Sequence, residues 1–383
     1  MPTLSASPVP AVWPAVPPEI PGTMAAVVFD RFGPPDVLRL DAVPTPAPGP
    51  GEVLVRVAAV CVGRFLDVSL RAGRHPVKPA LPHVLGVEHA GTVVAVGDAA
   101  QRSSTVETGD EVRGVAVGQH VAVWPVLGCG DCTACAAGST EACPRLHIAG
   151  VHGPGAYAEY TVVPEAAVWA IPDDLDPATA AGVALAGPVA MNQLQQAGLR
   201  AGDWVLVAGA ASALGATTAE LARHLGARVI GTSRAAWKRE RLRGLGLEAA
   251  LDPTAASFVD DVRAVTGGAG VAVAVDDLGE PDIFARLTDV LAPRGVLVSS
   301  GAFLGGTVPL DLARLYTLNQ RILGVRTGNA ASARALWAEV GRGFRPVVDR
   351  SFPLEAAADA HRFLEADDNM GRIVLTTAAA DVT

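Results

Sequence analysis

From Met24 onward, short apolar runs are cut by proline and glycine: AAVVFD, DVLRLDAV, EVLVRVAAV and HVLGVEHAGTVVAVG. Val- and Leu-rich runs bounded by such turn residues predict strands. VRGVAVGQHVAVWPV and AYAEYTVVP add more strand, and the polar stretch Gln101 to Asp110 predicts a surface loop. After about Asp173 the pattern changes. Apolar strands now alternate with Ala- and Leu-rich helical stretches: WVLVAGA then LGATTAELARHLG, ARVIGTS then AAWKRERLRGLG, GVAVAVDDLG then PDIFARLTDVLAPRG, and finally GVLVSSGAF. Nearly all-apolar strands alternating with helices predict a parallel sheet covered on both faces, an α/β arrangement. From Asn319 the pattern is mixed and ends in the strand-like GRIVLTT. No solenoid repeat is visible.

The expected division is a Pro-rich disordered tail at 1–23, a β-rich domain at 24–172, a doubly wound βα domain at 173–318, and a closing segment at 319–383. A chain of 383 residues suits two domains. The prolines of the opening MPTLSASPVPAVWPAVPPEIPGT favour extended chain, and Met24 is an alternative start. That opening has neither the basic start nor the apolar core of a signal peptide, so the cytoplasm is the expected location. The uncharged run between Asp176 and Arg200 is broken by Pro177, Pro188 and Asn192, which argues against a membrane span. A net charge of −9 with no basic cluster argues against nucleic acid or an anionic membrane as partner. A small-molecule substrate is the remaining expectation.

Chemistry is concentrated in two places. WVLVAGA runs into GAASALG and then a helix. Gly209 allows a tight turn and Gly215 allows close helix–sheet packing. Ala211, Ser212, Ala213 and Leu214 lie between them, and the small ones let the backbone approach a pyrophosphate at the helix N-terminus. The alternative is an ordinary β–α turn that needs small residues. NAD sites place an acid at the end of the next strand for the ribose 2′-OH. Here that strand ends Thr232-Ser233-Arg234, with Lys238 one turn on. Hydroxyls and a guanidinium suit the 2′-phosphate of NADP(H); a solvated surface arginine is the alternative.

The second place is the cysteine cluster. Four of the five cysteines, Cys129, Cys132, Cys135 and Cys143, fall within GCGDCTACAAGSTEACP. Four thiolates at such spacing suit one tetrahedral Zn²⁺ with no open position, a structural site. Iron–sulfur ligation is the alternative.

The cysteine lobe, then GAYAEY, then a βαβ domain opening on GAASALG, resembles the zinc-type alcohol dehydrogenases of the medium-chain dehydrogenase/reductase superfamily, over roughly Met24 to Leu375. The resemblance implies a GroES-like catalytic domain formed by both chain ends, an inserted Rossmann domain, and a homodimer or homotetramer. It places Asp277, Leu278, Gly301 and Ala302 near the cofactor ribose, Arg372 on the pyrophosphate, and Trp124 on the wall of the substrate cleft.

The departures from that family concern its catalytic zinc. Aligning Asp67 with the Asp of the family's C-x-T-D puts Arg64, or Gly63, at the cysteine ligand. Gly-His-Glu reads Gly86-Val87-Glu88, and L-C-A-G reads Ala184-Leu185-Ala186-Gly187. Phe65 and Leu66 fill the place of the hydroxyl relay. The resemblance thus implies an NADPH-dependent reductase with a structural zinc and without the catalytic one, acting on an activated C=C bond. Arg64, with Asp67 and Glu88 beside it, is the candidate anion contact, or else an ion-pair partner of those acids. Tyr157 is a candidate proton donor or a packing residue. A displaced metal on Cys61, His83, Glu88 and His89 is the alternative that keeps a carbonyl reductase or alcohol dehydrogenase. His147 and His152 are candidates to line the cleft. A non-redox enzyme or a dinucleotide-binding scaffold completes the alternatives.

Overall fold

The computed structural model describes residues 11–97, 115–172 and 174–377. The loop expected at Gln101 to Asp110 lies outside them. The chain divides into two compact units, residues 1–185 with 348–383, and residues 186–347.

The first unit opens with β1 (Thr23–Phe29), β2 (Arg39–Pro44), β3 (Glu52–Cys61), β4 (His83–Val84), β5 (His89–Val96) and β6 (His120–Val123). It continues through β7 (Val126–Leu127), β8 (His147–Ile148), β9 (Tyr160–Pro164) and β10 (Val168–Ala170). The second unit holds β11 (Trp204–Val207), β12 (Arg228–Thr232), β13 (Ala249–Leu251), β14 (Val271–Asp276), β15 (Leu291–Ser299) and β16 (Arg321–Gly324). The chain then returns to the first unit with β17 (Val348–Pro353) and β18 (Arg372–Thr376).

In the first unit the main sheet runs β10-β6-β5-β3-β18-β17, with β9 also on β3. Side chains alternate across a strand, and β3 therefore serves two cores. Val53 and Val55 pack with Val93, Val121, Val123 and Val163. Leu54 packs with Met24, Ala26, Val28, Val94, Ala158 and Tyr160. The helix Pro177–Val183 belongs to this unit as well. Its N-cap, Asp176, accepts from Thr179 N at 2.9 Å, and Pro177 occupies the first turn, where no N–H is needed. The first unit therefore extends to residue 185 rather than ending at 172.

Of the tail expected at 1–23, residues 1–10 lie outside the described residues, and residues 11–22 form no regular element but make specific contacts. Trp13 Nε1 donates to Leu175 O at 3.0 Å, and its ring stacks on His120 at 4.4 Å. Arg56 Nη1 donates to Ala15 O. One aromatic anchor and a backbone grip hold a segment that its prolines leave extended.

In the second unit the sheet order is β13-β12-β11-β14-β15-β16, every pairing parallel. This is the doubly wound order in which the strand sequence reverses between β11 and β14, leaving a crevice at the strands' carboxyl ends. The unit runs on past 318: β16 completes the sheet, and the helix Ala330–Gly341 packs on the helix Ala186–Ala197. A Cβ at Gly187 would lie 2.2 Å from Leu336. Among the described residues no helix is long and apolar enough to cross a membrane.

Candidate functional site

The cysteine lobe forms one cluster. The sulfurs of Cys129, Cys132, Cys135 and Cys143 all lie within 4.8 Å of one another, with Cys129–Cys135 at 4.0 Å and Cys132–Cys143 at 3.9 Å. Tetrahedral zinc with Zn–S bonds of about 2.3 Å sets its sulfurs about 3.8 Å apart, so the quartet fits that ion. Cys132 caps the short helix Thr133–Ala136, accepting from Cys135 N, and Cys129 N points at Cys143 Sγ at 3.4 Å. Arg145 bonds both Cys129 Sγ and Asp131, which sets a cation against a thiolate cluster of net negative charge. Gly128 is required here, because a Cβ would lie 2.6 Å from Cys135 Sγ.

In the second unit the dinucleotide loop is built from its own hydrogen bonds. Gly209 has φ +63°, and a Cβ on Gly215 would lie 2.4 Å from Gly209 O. The backbone cradle is therefore as tight as a pyrophosphate site requires. Ser212 caps the helix Ala213–His224 by accepting from Gly215 N, so its side-chain oxygen shapes the loop. Thr232 is likewise turned inward. It is buried, its hydroxyl accepts from Gly209 N at 3.0 Å and its carbonyl accepts from Ala210 N. The hydroxyl expected at a 2′-phosphate thus ties β12 to the glycine turn. Ser233 is half-buried, and Arg234 is exposed with no partner among the described residues. Lys238 is buried, its ammonium 5.3 Å from the Trp237 ring centre.

At the end of β14, Asp276 accepts from the backbone N–H of Leu278 and Gly279, and so caps the turn. Asp277 accepts from Gln193 Nε2 at 2.8 Å, while Gln193 Oε1 accepts from Thr218. Burial pushes the Asp277 carboxyl up to about 7. Leu278 lies 3.3 Å from the Cβ position of Gly209, and Gly301 leaves room for the Asp277 carbonyl, which a Cβ would meet at 2.3 Å. Ala302 is exposed beside them. No local pattern singles out Gln193, because its partner Asp277 lies 84 positions away.

In the first unit, residues 64–68 form a π-helical turn. Asp67 is buried within it and accepts from Gly63 N at 2.7 Å and from Gly86 N at 2.9 Å. Burial raises its carboxyl to about 7. Asp67 thus staples the turn to the Gly86 bend through both carboxylate oxygens. Arg64 pairs with neither Asp67 nor Glu88. It donates to Leu364 O and lies 3.5 Å from Asp367, and its Nε and Nη1 have no partner among the described residues. Glu88 instead holds Arg372, Nη1 to both carboxylate oxygens at 3.0 Å, both residues buried. Among the described residues the buried Nε and Nη2 of Arg372 have no partner, which suits an anion.

Tyr157 is fully buried and its hydroxyl meets His361 Nε2 at 3.1 Å. In this position it packs in the core with its hydroxyl held by His361, the second of the two roles expected of it. Trp124 is also in the core, 6% exposed, rather than on a cleft wall. The displaced-metal alternative finds no gathered ligands. His83 Nε2 bonds Gly150 O, His89 Nδ1 bonds Val87 O, and Glu88 is held by Arg372. Among the described residues the cysteine quartet is the one group of three or more His, Cys, Asp or Glu donors close enough to share an ion. His147 and His152 are exposed, 5.3 Å apart by ring centres, with His152 Nδ1 accepting from Ile148 N.

Residues 49–173 match the alcohol dehydrogenase GroES-like domain family, and residues 213–342 match the zinc-binding dehydrogenase family. A 2-haloacrylate reductase of a Burkholderia species is 32% identical over 377 residues, covering 93% of this chain and 99% of that protein. An NAD-dependent alcohol dehydrogenase of Sulfolobus acidocaldarius is 31% identical over 363 residues, covering 92% and 99%. Among solved structures, that of AibC superposes with a TM-score of 0.82 at 32% identity, covering 93% of this chain and 96% of its own. With two family matches, a relative of this identity along nearly its whole length, and both folds in place, the chain belongs to the zinc-type alcohol dehydrogenase-like proteins of the medium-chain dehydrogenase/reductase superfamily.

Proposed function

We propose that this oxidoreductase reduces an activated C=C bond conjugated with a carbonyl group, using NADPH and no catalytic zinc. The observation that carries the reading is the composition of the three positions where the family holds its catalytic metal. They are Gly63 or Arg64, Val87 at 1% exposure and Leu185 at 9%, and none of these side chains is a zinc donor. Without a Lewis acid, an alkoxide in transit has lost its main stabiliser. An enolate needs less, because its charge is spread and hydrogen-bond donors suffice.

When bound, NADPH would supply hydride to the β carbon and leave as NADP⁺, the C=C pair would become the double bond of an enolate as the C=O pair passes to oxygen, and water would supply the proton that joins the α carbon. The free Nε and Nη1 of Arg64 are the donors best suited to that oxygen. The glycine turn of Gly209 and Gly215 would hold the pyrophosphate. Ser233 and Arg234 would take the 2′-phosphate. The name of the Burkholderia relative, a 2-haloacrylate reductase, supports alkene reduction. The name of the Sulfolobus relative supports the second reading, an alcohol dehydrogenase or carbonyl reductase.

Two measurements separate these readings. NADPH consumption is followed with a panel of enones, quinones, haloacrylates and ketones, and zinc per chain is determined. Turnover of the unsaturated substrates with one zinc per chain supports the proposal. Turnover of ketones alone with two zincs per chain overturns it, and tight NADPH binding without any turnover points to a scaffold. A homodimer or homotetramer, expected from the resemblance, has support in the exposed Leu312 and Tyr316 beside edge strand β16, and sedimentation tests it.

A further inference from the structure

The turn after β12 contains a clamp outside any cofactor motif. Arg239, on the helix Ala236–Gly244, folds its guanidinium back over the loop that precedes its own helix. Nη1 donates to Ser233 O at 2.7 Å and to Arg234 O at 2.6 Å, and it lies 3.1 Å from Asp252 Oδ2. Asp252 immediately follows β13, the strand beside β12, and Ser233 N bonds Leu251 O at 3.1 Å. The carboxylate is therefore set against the very turn that carries Ser233 and Arg234. Its other oxygen accepts from Thr254 N and Thr254 Oγ1. The Thr254 hydroxyl and amide, with Arg239, hold the Asp252 carboxyl below its usual range. The pair is mostly shielded, with side-chain exposures of 19% and 29%.

Two consequences follow for a negatively charged ligand group at this turn. First, the carbonyls of Ser233 and Arg234 are fixed, so the two side chains leave a defined backbone. Second, the carboxylate nearest the turn is neutralised by Arg239, while among the described residues the Arg234 side chain has no acidic partner. A bare carboxylate a few ångströms from a phosphate disfavours it by about tenfold or more.

We propose that Arg239 and Asp252 form a positioning clamp that sets selectivity for the cofactor's 2′-phosphate, by fixing the Ser233–Arg234 turn and masking the acid beside it. The inference rests on the reading that the cofactor is NADP(H). Arg239 acts through the turn, and Arg234 and Ser233 make the contact.

The test is calorimetric titration of the intact protein with NADP⁺ and with NAD⁺, which needs no substrate. The wild type binds NADP⁺ at least tenfold more tightly than NAD⁺. R239Q raises the Kd for NADP⁺ about tenfold or more and moves that for NAD⁺ less than threefold. Adding D252N to R239Q recovers a good part of the loss, because the unmasked charge is gone. D252N alone, which keeps the side chain's shape, binds NADP⁺ as tightly as wild type or up to about threefold more tightly. If R239Q does not fold, R239K, which keeps the charge but not the forked contacts to Ser233 O and Arg234 O, carries the test through the same selective rise in the Kd for NADP⁺. Equal weakening of both nucleotides by R239Q, no change in their ratio, or a tenfold loss of NADP⁺ binding in D252N overturns the clamp. A wild type that prefers NAD⁺ overturns the NADP(H) reading itself, and the clamp with it.

Discussion

The hydroxyl of Tyr157 meets Nε2 of His361 at 3.1 Å, and the two side chains are wholly buried, ring edge to ring face. Burial, with Arg71 nearby, holds the His361 imidazole down at about 3. A base whose folded pKa is depressed contributes stability that is present above its unfolded value, near 6.5, and is lost as pH falls toward 3. His361→Gln removes this titration. Urea unfolding of the two proteins compares them at pH 7 and pH 5. The wild type's advantage shrinks by about 2 kcal/mol over that interval, and a constant difference refutes a neutral buried His361.

Glu220 gives the opposite sign. Its Oε2 accepts from Val347 N, its Oε1 has no partner, and burial raises its carboxyl to about 7. Its contribution is present below the unfolded pKa, near 4.5, and is lost as pH rises through 7. Glu220→Gln keeps an acceptor for Val347 and removes the charge. Relative to wild type, the variant gains stability between pH 5 and pH 8, by about 3 kcal/mol at most. Thermal melts at the two pH values read this directly, and a variant equally stable or weaker at pH 8 contradicts it.

The Glu88–Arg372 pair is buried on both sides, so removing one partner strands the other. Glu88→Ala leaves a buried guanidinium without its carboxylate and costs about 3–5 kcal/mol. Glu88→Gln keeps part of the hydrogen bonding and costs less. Urea midpoints that rank the two variants in the reverse order rule out a charge-pair role.

For the cysteine lobe, elemental analysis is expected to give one zinc per chain, and Cys143→Ser or a strong chelator removes it. A structural ion supplies folding energy to the chain around it. Its loss opens residues 128–146 to limited proteolysis, while the second unit stays resistant. Protease resistance unchanged after complete zinc loss shows that the lobe folds without metal.

Much of this architecture was legible in the sequence. Strand–helix alternation after Asp173 predicted a parallel sheet, and the spacing of four cysteines predicted one cluster, because both signals are local. The roles of single polar residues were not local. Tyr157 finds His361 204 positions away, and Glu88 finds Arg372 284 positions away. Apolar periodicity says which face is buried but not which partner a buried polar atom meets. Thr232 shows the same limit: its residue type suits a phosphate, and only the fold reveals that its hydroxyl meets Gly209 N. The unit edges moved because an Ala-rich helix at 177–183 packs as well on a β-sheet as on a Rossmann sheet. Arg239 gave a weaker signal still, as one basic residue among several in WKRERLR.

The nucleotide-binding unit is one unbroken stretch of chain, whereas the β-rich unit needs β17 and β18 to finish its main sheet. On the ribosome the two therefore mature out of order. The later segment can reach its native state as soon as it emerges, while the earlier one waits with the Ala59–Cys61 end of β3 unpaired until β18 arrives. Truncation of even the final strand would strand an exposed sheet edge in the oldest part of the molecule, so damage at the C-terminus would register as aggregation driven by the N-terminal half.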